Sequence, residues 1–184
     1  MSIEGGHAVE GGPEDGGGPV SDRVLVLGID PGTIVTGFGL VEKCDGGMRL
    51  VAVGHVKNSS RTPLPERLRK VHAETVRLIE LHRPDEVAVE NVFQSKNVKS
   101  ALKLGHARGV ALLAAAQDSR PIFEYDPREV KQSVVGNGGA TKQQVASMVD
   151  RLLELGGRDM LEDESDAVAV AICHLHKRNG AQVA

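Results

Sequence analysis

Four acidic side chains stand at the ends of apolar runs, where ionised groups are costly to cover. Asp30 closes VLVLGID, Glu90 closes EVAVE, and Asp163 and Asp166 open EDESDAVAVAICH. Each has an ordinary explanation when taken singly. Asp30 suits a turn before Pro31-Gly32, and Glu90 suits a solvated strand end. Acids in the first turn of a helix complement its dipole, and one of Glu162, Asp163 and Glu164 suits the N-cap. Asp166 fits that explanation least, because it is embedded at the edge of a wholly apolar segment. Asp163 and Asp166 are three apart and share a helix face. Spacing alone does not choose Asp163 over Glu162 or Glu164.

Convergence of these acids would have one chemical consequence. Two carboxylates about 4 Å apart repel by roughly 4 kcal/mol at an effective dielectric near 20. Several such pairs require protons or cations. Mg²⁺ or Mn²⁺, hard ions that prefer oxygen, are the natural partners. Two such ions roughly 3.5–4 Å apart assist phosphodiester hydrolysis, one activating water and one stabilising the leaving 3′ oxygen.

The elements that must position the acids follow from periodicity. VLVLGID reads as a central strand, covered on both faces. VTGFGLVEK and MRLVAVGHVKN read as two more strands about a CDGG turn. Pro65 to His82 reads as a helix with an apolar stripe of Leu64, Leu68, Val71, Val76, Ile79 and Leu81. DEVAVENVF is a fourth strand, NVKSALKLGHARGVALLAAAQ a long helix and PIFEYDP a fifth strand. PREVKQSVVG starts a helix at Pro127. TKQQVASMVDRLLELG is another, with Thr141 as N-cap and Gly156 beyond its end. DESDAVAVAICHLHKRN is a final helix, apolar nearly all round and so largely buried. The order β-β-β-α-β-α-β-α-α-α predicts an α/β fold: an antiparallel meander, then a crossover that lays strand four beside strand one. The result is a mixed five-stranded sheet flanked by helices on both faces.

Bulk properties bound the rest. The chain has 184 residues and a net charge of −3. Residues 1–22 are Gly-rich and acidic, with five acids and no Lys or Arg, and are expected to be a disordered tail. Without those five acids the remainder carries 22 basic and 20 acidic residues, a net +2 that allows a basic face. The expected domain is residues 23–179, followed by a short tail over 180–184. No apolar run reaches the roughly 20 residues of a membrane helix, and no secretory signal is expected. Cys44 and Cys173 have no CxxC spacing, which suits a reducing, cytoplasmic location. Cys173 and His176 share a helix face, but with His174 they are a poor zinc site, since no further ligand pattern accompanies them.

Four blocks together carry a family likeness: GIDPGTIVTGFG, VAVENVFQSKNVKSALKLGHARG, FEYDPREVKQSVVGNGGATKQQV and DESDAVAVAICH. In this order the chain resembles the RuvC family of bacterial Holliday-junction endonucleases, from about Val24 to His176. The resemblance implies an RNase H-like fold. It also implies a homodimer that cuts two opposing strands of a four-way DNA junction, near-symmetrically and with sequence preference. It places the catalytic, metal-holding acids on Asp30, Glu90, Asp163 and Asp166, favouring Asp163 over its neighbours, although a histidine can stand there in other members. It implies two Mg²⁺ per subunit, with Mn²⁺ as a substitute. Lys131 and Lys142 match basic residues close to the scissile phosphate. A branch-migration helicase complex, RuvA–RuvB, is implied as a partner.

The DNA-facing residues follow from position and resemblance together. Phe93 lies three after Glu90, in a strand-to-helix loop where an aromatic stacks on unpaired bases, and the family uses a phenylalanine there at the junction centre. Lys96, Lys99 and Lys103 fall on one helix face suited to phosphates, with Arg108 beyond. The face carrying Ala101, Leu104, Val110, Leu112 and Ala115 is either core or a subunit interface. Two alternatives remain at this level. One is an actin-like ATPase or sugar kinase, in which DPGT would hold phosphate, though a second phosphate loop is missing. The other is a branched-DNA binder that has lost catalysis, which the four acids oppose.

Overall fold

The structure, a computed structural model, describes residues 23–91 and 98–178. The expected N-terminal tail, Phe93, Lys96 and the C-terminal tail lie outside the described residues. β1 (Val24–Asp30) is apolar on both faces because both are covered. Val24 and Val26 enter one core, while Leu25, Leu27 and Ile29 enter the other. It pairs antiparallel with β2 (Val35–Cys44), which turns through Asp45–Gly46 into β3 (Gly47–Lys57). α1 (Leu64–His82) crosses back to β4 (Glu86–Glu90), which pairs parallel with β1. α2 (Val98–Gln117) leads to β5 (Ile122–Tyr125), also parallel. The sheet order is β3-β2-β1-β4-β5, as the residue pattern predicts.

α3 (Pro127–Val135), α4 (Lys142–Leu152) and α5 (Glu162–Arg178) complete the chain. Pro127 occupies the first turn of α3, and the Thr141 hydroxyl accepts from the Gln144 N–H as N-cap of α4. Ser165 and the run Ala167–Leu175 of α5 are buried between the sheet and the α3–α4 pair. α1 and α2 cover the opposite face.

The expected face of α1 needs correction, while the expected face of α2 falls to the core alternative at Leu112 and Ala115. The inward face of α1 carries Arg67, Val71, Thr75, Leu78 and Ile79, whereas Leu81 is 61% exposed. Thr75 tolerates burial because its hydroxyl donates to the Val71 carbonyl at 2.9 Å. The apolar side chains of α2 that point outward are Val98, Leu102 and Leu113, while Ala115 is core and Leu112 packs against it.

Candidate active site

Register brings the acids together. β1 and β4 advance in parallel with Ile29 beside Val89, so Asp30 and Glu90 end the two strands side by side. Alternation puts Glu86, Ala88 and Glu90 on the face that α5 covers, opposite Val87 and Val89. α5 starts at the same end of the sheet. Its first turns are sorted by what each acid touches. Glu164 accepts from the Leu161 N–H at 3.0 Å and meets His55 Nδ1 at 2.8 Å, so it fastens the helix start to β3. Glu162 pairs with Lys142. Asp166 faces inward, where its Oδ2 accepts from Lys142 Nζ at 2.8 Å.

Asp30, Glu90 and Asp166 line one cleft of about 260 Å³ with Lys131 and Lys142, walled by Leu104, Val130 and Val145 among others. Asp163 does not line it, but its charge reaches Asp30. Burial, and then the charges of Glu90, Asp166 and Asp163, push the Asp30 carboxyl well above the usual range. Burial and Asp166 raise Glu90 to about 7, against the opposing pull of Asp30 hydrogen bonding, Lys142 and Lys131. Burial draws the Lys142 ammonium down, yet its hydrogen bonds to Asp166 and Glu162 outweigh that and hold it above its usual range.

These are hard oxygen donors whose ionised forms repel one another and are only partly compensated by Lys142 and Lys131, and that chemistry fits a divalent cation. The set is not ready-made. Among the described residues no three acidic, histidine or cysteine side chains stand close enough to hold one ion. Lys142 lies on Asp166, where it supplies positive charge itself.

The model of the family described as crossover junction endodeoxyribonuclease RuvC matches residues 26–174. The chain belongs to this family. It is 48% identical over 156 residues to crossover junction endodeoxyribonuclease RuvC of Legionella pneumophila, covering 85% of this chain and 89% of that one. It is 46% identical over 153 residues to the Pelotomaculum thermopropionicum protein of the same name, covering 83% and 93%. A solved structure of T. thermophilus RuvC in complex with Holliday junction substrate superposes with a TM-score of 0.80 at 35% identity, covering 85% of this chain and 96% of that one. The yeast mitochondrial Holliday junction resolvase Ydc2, at 12% identity and a TM-score of 0.63 over 84% of this chain and 78% of that one, shares the fold. The actin-like ATPase alternative is set aside.

Of the predicted DNA-facing residues, Lys131 and Lys142 stand in the cleft and Lys99 is exposed on α2. Cys173 and His174 are buried in the core, and His174 is occupied by Tyr125 and Glu86. Two features escaped the residue pattern. Glu162 shares Lys142 with Asp166, which four-residue contacts within one helix cannot reveal. Gly28, Gly37 and Gly39 admit the α5 backbone against the sheet, and their alternation at VLVLGIDPGTIVTGFGL was the available signal.

Proposed function

We propose that this chain resolves four-way DNA junctions through paired nicks, with Asp30, Glu90, Asp163 and Asp166 as the acids that hold two Mg²⁺ per subunit. The observation that carries the reading is the meeting of Asp30, Glu90 and Asp166, from three separate elements, in one cleft beside Lys131 and Lys142. The bound ions would supply an activated water and charge stabilisation at the leaving oxygen, and Mn²⁺, equally hard, would substitute. Asp30 and Glu90 give up protons as the ions are taken. Lys142 leaves Asp166 for a phosphate oxygen, and Lys131 approaches the same phosphate from α3. Both ammonium groups would then face the negative charge carried by the non-bridging oxygens of the reacting phosphate. Asp163, whose charge already reaches Asp30 from outside the cleft lining, would join the other three acids as the first turn of α5 closes on the ions.

DNA handling falls to Phe93, Lys96 and Lys99 on the segment that follows β4, by base stacking and phosphate contact. Two copies of the chain would match the near-twofold symmetry of a junction. The outward face of α2 favours this: Val98, Leu102 and Leu113 are 75%, 61% and 55% exposed, and nothing stands within 4 Å of a Cβ placed on Gly105 or Gly109. No described helix is long and apolar enough to cross a membrane, and we assign the protein to the cytoplasm, acting with a RuvA–RuvB branch-migration complex. The test is a synthetic four-way junction incubated with and without Mg²⁺. Paired symmetric nicks that require the ion support the proposal. Indiscriminate duplex digestion contradicts it.

A further inference from the structure

β1 and β2 are in register so that Asp30 lies opposite Gly37. α5 crosses this point with its first turn. A Cβ built on Gly37 would fall inside van der Waals contact of the Asp163 carbonyl group and stand 3.1 Å from the Glu164 nitrogen. The neighbouring glycines repeat the pattern along the helix. A Cβ on Gly39 would stand 2.9 Å from Val168 Cα, and one on Gly28 would stand 2.8 Å from the Ala171 nitrogen. At Gly37 every contact is backbone, so neither partner yields there without the helix shifting; at Gly39 the Val168 side chain is met first, and at Gly28 the Ala171 methyl joins the backbone contacts. β3 offers the contrast: a Cβ on Gly54 meets nothing within 4 Å.

We propose that Gly37 is a positioning residue for cleavage: by lacking a side chain it seats the first turn of α5 against β2, and so sets the distance from Asp163 and Asp166 to Asp30. The inference rests on the proposed metal-holding role of those acids. Adding a methyl group at position 37 lifts the helix start by about the width of that group. A carboxylate cannot follow, because its reach from the helix is fixed by one methylene. Ion binding falls, while the exposed lysines that contact phosphates from α2 stay in place.

The test compares Gly37→Ala with wild type and with Gly54→Ala in the full chain. The readouts are the Mg²⁺ concentration for half-maximal junction cleavage and junction binding without divalent ions. We expect Gly37→Ala to need at least tenfold more Mg²⁺, with metal-free junction binding within twofold of wild type and Gly54→Ala unchanged in both. Adding Asp166→Glu to Gly37→Ala should regain part of the lost Mg²⁺ affinity, since the longer acid spans the lift. Asp166→Glu alone should weaken it. Should Gly37→Ala fail to fold, Ala167→Ser lifts α5 from its own side by one atom, and the same Mg²⁺ shift is expected. An unshifted Mg²⁺ requirement in the folded variant, with wild type active, overturns this inference alone. Wild-type protein that shows no Mg²⁺-dependent cleavage overturns the reading of the site with it.

Discussion

Glu86 and Glu90 lie four residues apart on one face of β4, under the same helix, yet their carboxyls are driven in opposite directions. At the Glu86 end every buried polar group has a partner. Tyr125 Oη donates to His174 Nδ1 at 2.7 Å, His174 Nε2 donates to Glu86 at 2.5 Å, and Arg178 Nε donates to Glu86 at 3.0 Å. Burial raises Glu86, but the hydrogen bonds from His174 and Arg178 outweigh it and leave the carboxyl below its ordinary value. Burial lowers His174 and keeps it neutral, the form this chain of bonds requires. At the Glu90 end burial dominates, Asp166 adds repulsion, and the carboxyl sits near 7. The two ends share strand and helix, but Glu90 lies deeper than Glu86. At the Glu86 end His174 and Arg178 outweigh burial, whereas at the Glu90 end Lys142 and Lys131 do not. A closed network stabilises the fold, and an incompletely compensated one in a cleft is a candidate binding site.

Asp30→Asn should lower junction cleavage by roughly a thousandfold, about 4 kcal/mol of transition-state stabilisation, with junction binding and melting temperature retained. Gel-shift and cleavage assays on one preparation decide it, and a variant that still cuts at half the rate would remove Asp30 from the chemistry. Glu86→Ala should do the reverse. It strands His174 and Arg178 and costs about 3 kcal/mol of stability in urea denaturation, while cleavage well below the melting temperature stays within a few-fold of wild type.

A pH series sharpens the contrast. Below about 7 Glu90 keeps its proton in the metal-free protein, and a cation must displace it. The half-saturating Mg²⁺ concentration should therefore fall by about tenfold between pH 6 and pH 8, and Glu90→Gln should reduce that dependence, leaving the part due to Asp30. For stability the two ends have opposite signs: Glu90, raised from 4.5 to about 7 on folding, loses stability as pH rises through that window. His174 is lowered in the folded state, so the unfolded chain takes up protons first and stability declines as pH drops below about 6.5. The smallest effect is expected at Glu162. Its pair with Lys142 is largely exposed, at 65% and 54% for the two side chains, so Glu162→Gln should change stability by under about 0.5 kcal/mol. A larger loss on thermal melting would show that the pair organises the start of α5.

The sheet was legible because VLVLGID and EVAVE place an acid directly after a doubly covered run, and such runs pair in the middle of sheets. The strand-end placement of Asp30 and Glu90 was legible for the same reason, and the inward-facing Asp166 from its place at the edge of an apolar helix. The position of Asp163 outside the cleft was not, since a spacing of three puts it on the face of Asp166 but says nothing of how far along the sheet the helix starts. The α1 stripe was misassigned because Arg67 and Thr75 look polar, although a buried arginine contributes its aliphatic stem and a threonine can satisfy its hydroxyl within the helix. The Glu86–His174 pair joins residues 88 apart in sequence, and no local pattern records that. The glycines that seat α5 were visible as letters, but their purpose depends on a helix more than a hundred residues away.

The divalent ion proposed between Asp30, Glu90 and Asp166 should be visible by anomalous diffraction from crystals soaked in Mn²⁺. Mn²⁺ peaks bounded by these three carboxylates, with Lys142 withdrawn from Asp166, are the expected result. Cleft density showing Lys142 still seated on Asp166, with Mn²⁺ bound elsewhere on the chain, would contradict the account.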